Sequence, residues 1–213
     1  IDPHTWKTKR YPVLNNKSWV IYTLFTSRDG TVWMGNDAGL SRYVPENDTF
    51  CNYSGAKTWV TDIDGKKRVL GSYSVKSIVD DAKGNIYIGT WDCGLLRLNR
   101  KTGNIVRYPK INNQNSAYSL FFDSRNRLWV GTWGYGLIRL DNPDNINNPS
   151  EHVYCKDGFE TFYKVIEDPT TGTIWASTRE GINVMSRDGN LRDISFYSNS
   201  GDQTIQQLKF CND

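Results

Sequence analysis

Four short polar stretches hold the residues of this chain best suited to chemistry: Asn36-Asp37, Thr90-Trp91-Asp92, Thr132-Trp133-Gly134-Tyr135 and Thr178-Arg179-Glu180. Flat aromatic rings, carboxylates and an arginine converging on one rim are what a carbohydrate-type site requires. The rings stack on sugar faces, and paired polar groups meet hydroxyls or acid groups. Candidate ligand contacts are therefore Asn36, Asp37, Trp91, Asp92, Trp133, Tyr135, Arg179 and Glu180. Each has a plainer reading. Trp91 and Trp133 share one Thr-Trp context, which suits a structural lid between repeated units as well as a ligand contact. Arg179 and Glu180 break that context, which suits a specificity role and a local ion pair alike.

Catalysis has less to draw on. The two histidines, His4 and His152, stand at no metal-ligand spacing and beside no nucleophilic turn. Cys51, Cys93, Cys155 and Cys211 lie far apart without a CxxC pair, so free or buried thiols are expected. A glycosidase would need two carboxylates facing a cleft. The propeller forms usually carry hairpins of the pattern S-x-D-x-G-x-x-W, and SRDGTVW (27–33) lacks one residue between Asp29 and its glycine. Asp92 and Glu180, drawn from separate units, are weak material for acid-base work. The reading is of a segment that is not an enzyme, with no catalytic residue, metal or cofactor.

Bulk charge excludes further classes. Lys and Arg total 26 against 23 Asp and Glu, a net charge of +3, too small to mark a nucleic-acid or membrane surface. No apolar run approaches the length of a membrane span, and the first residues lack the apolar core of a signal peptide. Those features suit a cytosolic protein or a domain cut from a longer one.

The elements that must position these stretches are visible as a repeat. GTVWMGNDAGLSRY (30–43), KGNIYIGTWDCGLLRL (83–98), RNRLWVGTWGYGLIRL (125–140) and GTIWASTREGINVM (172–185) share one grammar: a turn, a short strand built on an aromatic, a polar loop closed by glycine, and a second short strand. The central aromatics Trp33, Tyr87, Trp129 and Trp175 are spaced by 54, 42 and 46 residues. A period of about 40 to 50 residues carrying several short strands is the signature of propeller blades. The four aromatics read as blade packing, and Arg42, Arg97 and Arg139, which recur on the third strand, read as scaffold.

The fold class is all-β: a β-propeller fragment of four complete four-stranded blades with partial flanking blades. Residues 1–19 read as the last strand of a preceding blade and a link, 20–53 as a blade, 54–74 as an insertion hairpin turning at Asp64-Gly65, and 75–108 as a blade. Residues 117–155 and 162–197 are two more blades, and 204–213 the first strand of a following one. The two flanking strands are not blade neighbours and cannot close a ring. Further blades, or a second copy of the chain, are expected to cover the open faces. In a four-stranded blade the loop between strands two and three shares a face with the link to the next blade. All candidate residues fall on that face, and every long insertion is expected there too.

The pattern G-N-I-Y-I-G-T-W-x-x-G-L-L-R-L, at 84–98 and again around Trp129 to Leu140, resembles the two-component regulator propeller repeat. The resemblance implies the periplasmic sensor domain of a hybrid two-component histidine kinase of Bacteroides type, reaching the membrane only through its parent protein. It also implies an oligosaccharide from polysaccharide breakdown, or another small ligand, as partner, and no nucleic acid contacted by this segment. Two alternatives stay open: a secreted propeller lyase or glycoside hydrolase, and a protein-interaction or dimerisation scaffold.

Overall fold

A computed structural model describes residues 4–11, 20–52, 59–61, 66–69, 73–108, 116–146, 148–154, 161–179, 181–186, 191–194 and 208–209. Four antiparallel sheets of four strands follow one another along the chain. The first joins β1 (Ile21–Thr26), β2 (Val32–Asn36), β3 (Gly39–Val44) and β4 (Thr49–Asn52). A separate hairpin pairs β5 (Trp59–Thr61) with β6 (Lys67–Val69). The second sheet holds β7 (Val75–Asp80), β8 (Ile86–Thr90), β9 (Leu95–Leu98) and β10 (Ile105–Arg107). The third holds β11 (Ser119–Phe122), β12 (Leu128–Gly131), β13 (Leu137–Leu140) and β14 (Glu151–Tyr154). The fourth holds β15 (Phe162–Glu167), β16 (Ile174–Thr178), β17 (Ile182–Met185) and β18 (Leu191–Ile194). Each is a meander, because every connection within a sheet is short enough only for a hairpin.

The sheets stack through their first strands, β1 on β7, β7 on β11 and β11 on β15, so these line an axis and the fourth strands lie outermost. Stacking buries the aromatic of each second strand. Trp33, Tyr87 and Trp129 are fully enclosed and Trp175 is half-buried. Burying an indole or a phenol obliges its polar tip to find a partner. The Trp129 Nε1–H donates to Asp123 in the β11–β12 turn at 2.8 Å, and the Trp33 Nε1–H donates to the Ser27 hydroxyl in the β1–β2 turn at 3.3 Å. Asp123 also accepts the Arg125 and Arg127 backbone N–H groups, so one buried carboxylate closes the turn and holds the core aromatic.

The blades approach closely at one glycine of the second strand. A Cβ on Gly89 would lie 2.5 Å from the Ala117 carbonyl oxygen, and one on Gly131 would lie 2.8 Å from that of Phe162. Backbone of the next blade occupies that space, and this accounts for glycine two residues after Tyr87 and Trp129. Recurrent Arg97 and Arg139 also serve structure. Arg139 pairs with Asp141 and the Tyr154 hydroxyl, and Arg97 donates to the Asp144 carbonyl of the next blade, while Arg42 is exposed.

One expectation is corrected. The Pro- and Asn-rich insertion 142–150 joins β13 to β14, the third and fourth strands, and so leaves the blade on the face opposite the candidate residues. Its Asp144 pairs with Lys83 of the β7–β8 turn, and the Tyr108 hydroxyl donates to its Pro143 carbonyl. The insertion clasps the preceding blade and does not extend the rim.

Residues 4–11 form no strand. Tyr11 instead packs edge-on against Tyr43 and Phe50 and donates to Asp48 at 2.7 Å. The expected strand at 204–213, the Asp64-Gly65 turn, Cys155 and Cys211 lie outside the described residues, apart from 208–209. Cys93 is buried and Cys51 exposed. Among the described residues no helix is long and apolar enough to cross a membrane.

Candidate functional site

The geometry that gathers polar and aromatic groups starts from a bulge. In β1, β7 and β15 the pairing with the second strand slips by one residue, at Tyr22, Lys76 and Tyr163. A bulged residue is released from the ladder and re-aimed. Tyr118 takes the same place just before β11, three residues ahead of the position opposite the core aromatic. Four blades thus present Tyr22, Lys76, Tyr118 and Tyr163 at one level around the axis. The next position in each blade is Thr23, Ser77, Ser119 and Lys164. Ser77 accepts the Leu120 N–H at 3.1 Å and Ser119 donates to the Phe162 carbonyl at 3.1 Å, stitching neighbouring first strands together. Among the described residues Lys164 makes no such bond. These two levels, with Ile21 and Leu120, line a cleft of about 320 Å³.

Aromatic side chains form a belt at its edge. Trp91 and Trp133 stand 4.8 Å apart, Trp133 lies 5.6 Å from Tyr118, and Tyr118 meets Tyr163 edge-on at 5.6 Å. The Lys76 ammonium sits 3.1 Å from the centroid of the Tyr22 ring and 5.1 Å from that of Trp91, a cation–π arrangement on both sides. The loops carrying the tryptophans are fixed to the incoming link of their own blade: Trp91 N–H donates to the Ser74 carbonyl and Trp133 N–H to the Ser116 hydroxyl. Burial pushes the Tyr118 phenol up, and Tyr163 and Tyr22 push the same way, so it stays a neutral hydroxyl able to donate.

The residues singled out from sequence divide over this site. Trp91 and Trp133 belong to the belt. Tyr135 and Asp92 are exposed on the same loops. Asn36 is buried and its side-chain oxygen accepts the Ala38 N–H at 2.8 Å, so it serves its own turn. Asp37 is half-buried and Arg179 exposed; neither lines the cleft, and Glu180 lies outside the described residues. Sequence reasoning missed Tyr22, Lys76, Tyr118 and Tyr163. The available signal was their common place, three residues before Phe25, Val79, Phe121 and Ile166, the partners of the four core aromatics. His4 is exposed, and His152 sits on outer strand β14 with its Nε2 2.9 Å from Asp141, so both histidines are away from the cleft. Among the described residues no group of three or more His, Cys, Asp or Glu could hold a metal.

Four consecutive four-stranded meanders stacked through their first strands define a segment of β-propeller. Residues 69–92 and 112–134 match the two-component regulator propeller. No protein of curated function matches the chain. Several solved structures share the fold. An extracellular domain described as that of a hybrid two component system of B. thetaiotaomicron is 18% identical, with a TM-score of 0.64 over 83% of this chain and 24% of its own. A second such domain from the same organism is 17% identical, with a TM-score of 0.50, 92% of this chain and 36% of its own being covered. Virginiamycin B lyase from Staphylococcus aureus is 15% identical, with a TM-score of 0.67 over 92% of this chain and 62% of its own. The chain therefore spans less than two thirds of each, and identities this low speak for the fold alone.

Proposed function

We propose that this chain is part of the extracytoplasmic, periplasmic propeller of a two-component receptor, that it binds an oligosaccharide released by polysaccharide breakdown, and that it signals to a kinase outside this sequence. The observation that carries the reading is the belt of Trp91, Trp133, Tyr118 and Tyr163 beside a cleft lined by hydroxyls and ammonium groups. Rings at the edge stack on sugar faces and polar groups inside orient them, and a volume of this size lies at the small end for ligand sites. The matched repeats and the hybrid two-component structures supply the signalling context. Binding would then shift the population between two arrangements of the receptor, provided the ligand prefers one of them.

Calorimetric titration with a panel of neutral and acidic oligosaccharides tests this. Binding is expected, with affinity reduced about tenfold or more in Trp133→Ala, the loss of one aromatic platform. Failure of every saccharide would remove the ligand claim. The fold shared with virginiamycin B lyase favours one rival, a propeller lyase. Turnover of a glycan in the same panel would decide for it, whereas reversible binding without product supports the sensor. In a scaffold that only dimerises, replacing Trp133 and Arg179 by alanine in the whole receptor would leave signalling untouched.

A further inference from the structure

We infer that the ligand of this cleft is an acidic saccharide, bearing a carboxylate or sulfate, with Lys76 and Lys164 as its anchors; this rests on the reading that the cleft binds a sugar. The inference comes from the charge of the lining. Among the described residues Lys76 and Lys164 are its only charged ones, and no carboxylate joins them. Asp37 and Asp92, the acids of the candidate loops, stay outside that lining. Elsewhere in the molecule lysines near the blades find acids: Lys83 pairs with Asp144 and Lys9 with Asp48. Neither Lys76 nor Lys164 has an ion pair among the described residues.

The placement of each lysine is also out of step with its blade-mates. At the bulge, three blades carry tyrosine and the second carries Lys76. At the next position, Thr23, Ser77 and Ser119 are short hydroxyl residues and the fourth blade carries Lys164. Ser77 and Ser119 spend their hydroxyls on the neighbouring first strand. Two half-buried, unneutralised ammonium groups in one small concave site concentrate positive potential there. The Tyr22 ring under Lys76 holds that ammonium in place without cancelling its charge, as a carboxylate would. An anionic group on the ligand supplies the missing counter-charge and accepts charge-assisted hydrogen bonds. The neutral hydroxyl of Tyr118 is a further donor beside it.

The test titrates the chain with galacturonate oligomers and sulfated disaccharides, each beside its neutral or desulfated counterpart, at low and at raised salt. The acidic sugars are expected to bind at least about tenfold more tightly than the neutral ones, and to weaken as salt rises. Lys76→Gln and Lys164→Gln should each reduce acidic-sugar affinity about tenfold, a larger loss than for the neutral sugars, and Lys76→Arg should restore binding. Circular dichroism of each variant checks folding. Equal binding of neutral and acidic sugars, or glutamine variants that bind acidic sugars as before, would overturn the charge inference and leave the sugar site standing. Silence from both sets would overturn the inference together with the functional reading.

Discussion

Strands β1 and β7 occupy the same place in consecutive blades, yet one is open and the other is enclosed. Val75 and Ile78 of β7 are 0% and 3% exposed, packed in one cluster with Trp33 and Leu40 of the blade before. Their counterparts in β1, Ile21 and Leu24, are 48% and 65% exposed. The third and fourth blades repeat the enclosed state, with Leu120 and Val165 buried at the place of Leu24. An apolar residue at this position is thus a property of the repeat, while its burial is a property of having a neighbour. Each blade completes its core with a face borrowed from the next, as in other stacked repeats. We propose that a further blade or a second copy of the chain covers Ile21 and Leu24 in the whole protein.

The sharpest way to break this comparison is to delete the same side chain on both faces. Ile78→Ala should cost about 2–5 kcal/mol, the range for emptying a packed aliphatic site. Leu24→Ala should stay within about 0.5 kcal/mol, as for a surface change. Urea melts of the two variants decide it, and equal losses would mean that Leu24 is covered in solution. Next in size is the glycine approach. Gly131→Ala is expected to cost about 1–3 kcal/mol by forcing the third and fourth blades apart, whereas a change at an open surface would not. A melt unchanged by that substitution would show that the interface yields easily. Smaller again is the tyrosine clasp. The buried Tyr108 hydroxyl reaches Pro143 of the next blade, and half-buried Tyr11 reaches Asp48 in the equivalent turn of the first blade. Tyr108→Phe should cost about 1 kcal/mol and Tyr11→Phe less, since water replaces the second bond more readily.

The blade framework was legible because its signals are local. Trp33, Tyr87, Trp129 and Trp175 mark the second strands, and the loop glycines that follow open the third. The candidate site was legible only in part, for a physical reason. Trp91 and Trp133 announce themselves by their repeated Thr-Trp context, but the rest of the belt rides on first strands. There a bulge breaks the period-two alternation by which a strand is read, and the bulged residue varies from tyrosine to lysine. Its place is defined only once the pairing register is known. Asn36, singled out for a ligand, instead accepts a backbone N–H of its own loop, as the Thr90 and Thr132 hydroxyls do in theirs. The face on which 142–150 emerges followed from strand order, yet its length suggested a rim loop; the acid at its tip, Asp144, reaches Lys83 instead.

The smallest effect separates the polar stitching of an interface from its apolar core. Arg100, in the turn after β9, pairs with Asp29 in the β1–β2 turn, linking the second blade to the first. That guanidinium, with the Ser27 hydroxyl and Thr31, holds the Asp29 carboxyl well below its ordinary value of 3.8. A carboxyl depressed by folding contributes stability that is present above its unfolded value and is lost as pH falls through the folded one. The loss therefore begins below about pH 4. The pair is largely solvated, so its whole contribution stays below about 1 kcal/mol. Asp29→Asn should accordingly lower the melting midpoint slightly at neutral pH and flatten the acid limb of the stability profile. Ile78→Ala should shift the whole profile down without changing its slope. If the two variants gave the same pH dependence, the ion pair would have no part in joining these blades, and apolar contact across the interface would account for the enclosed state of β7 alone.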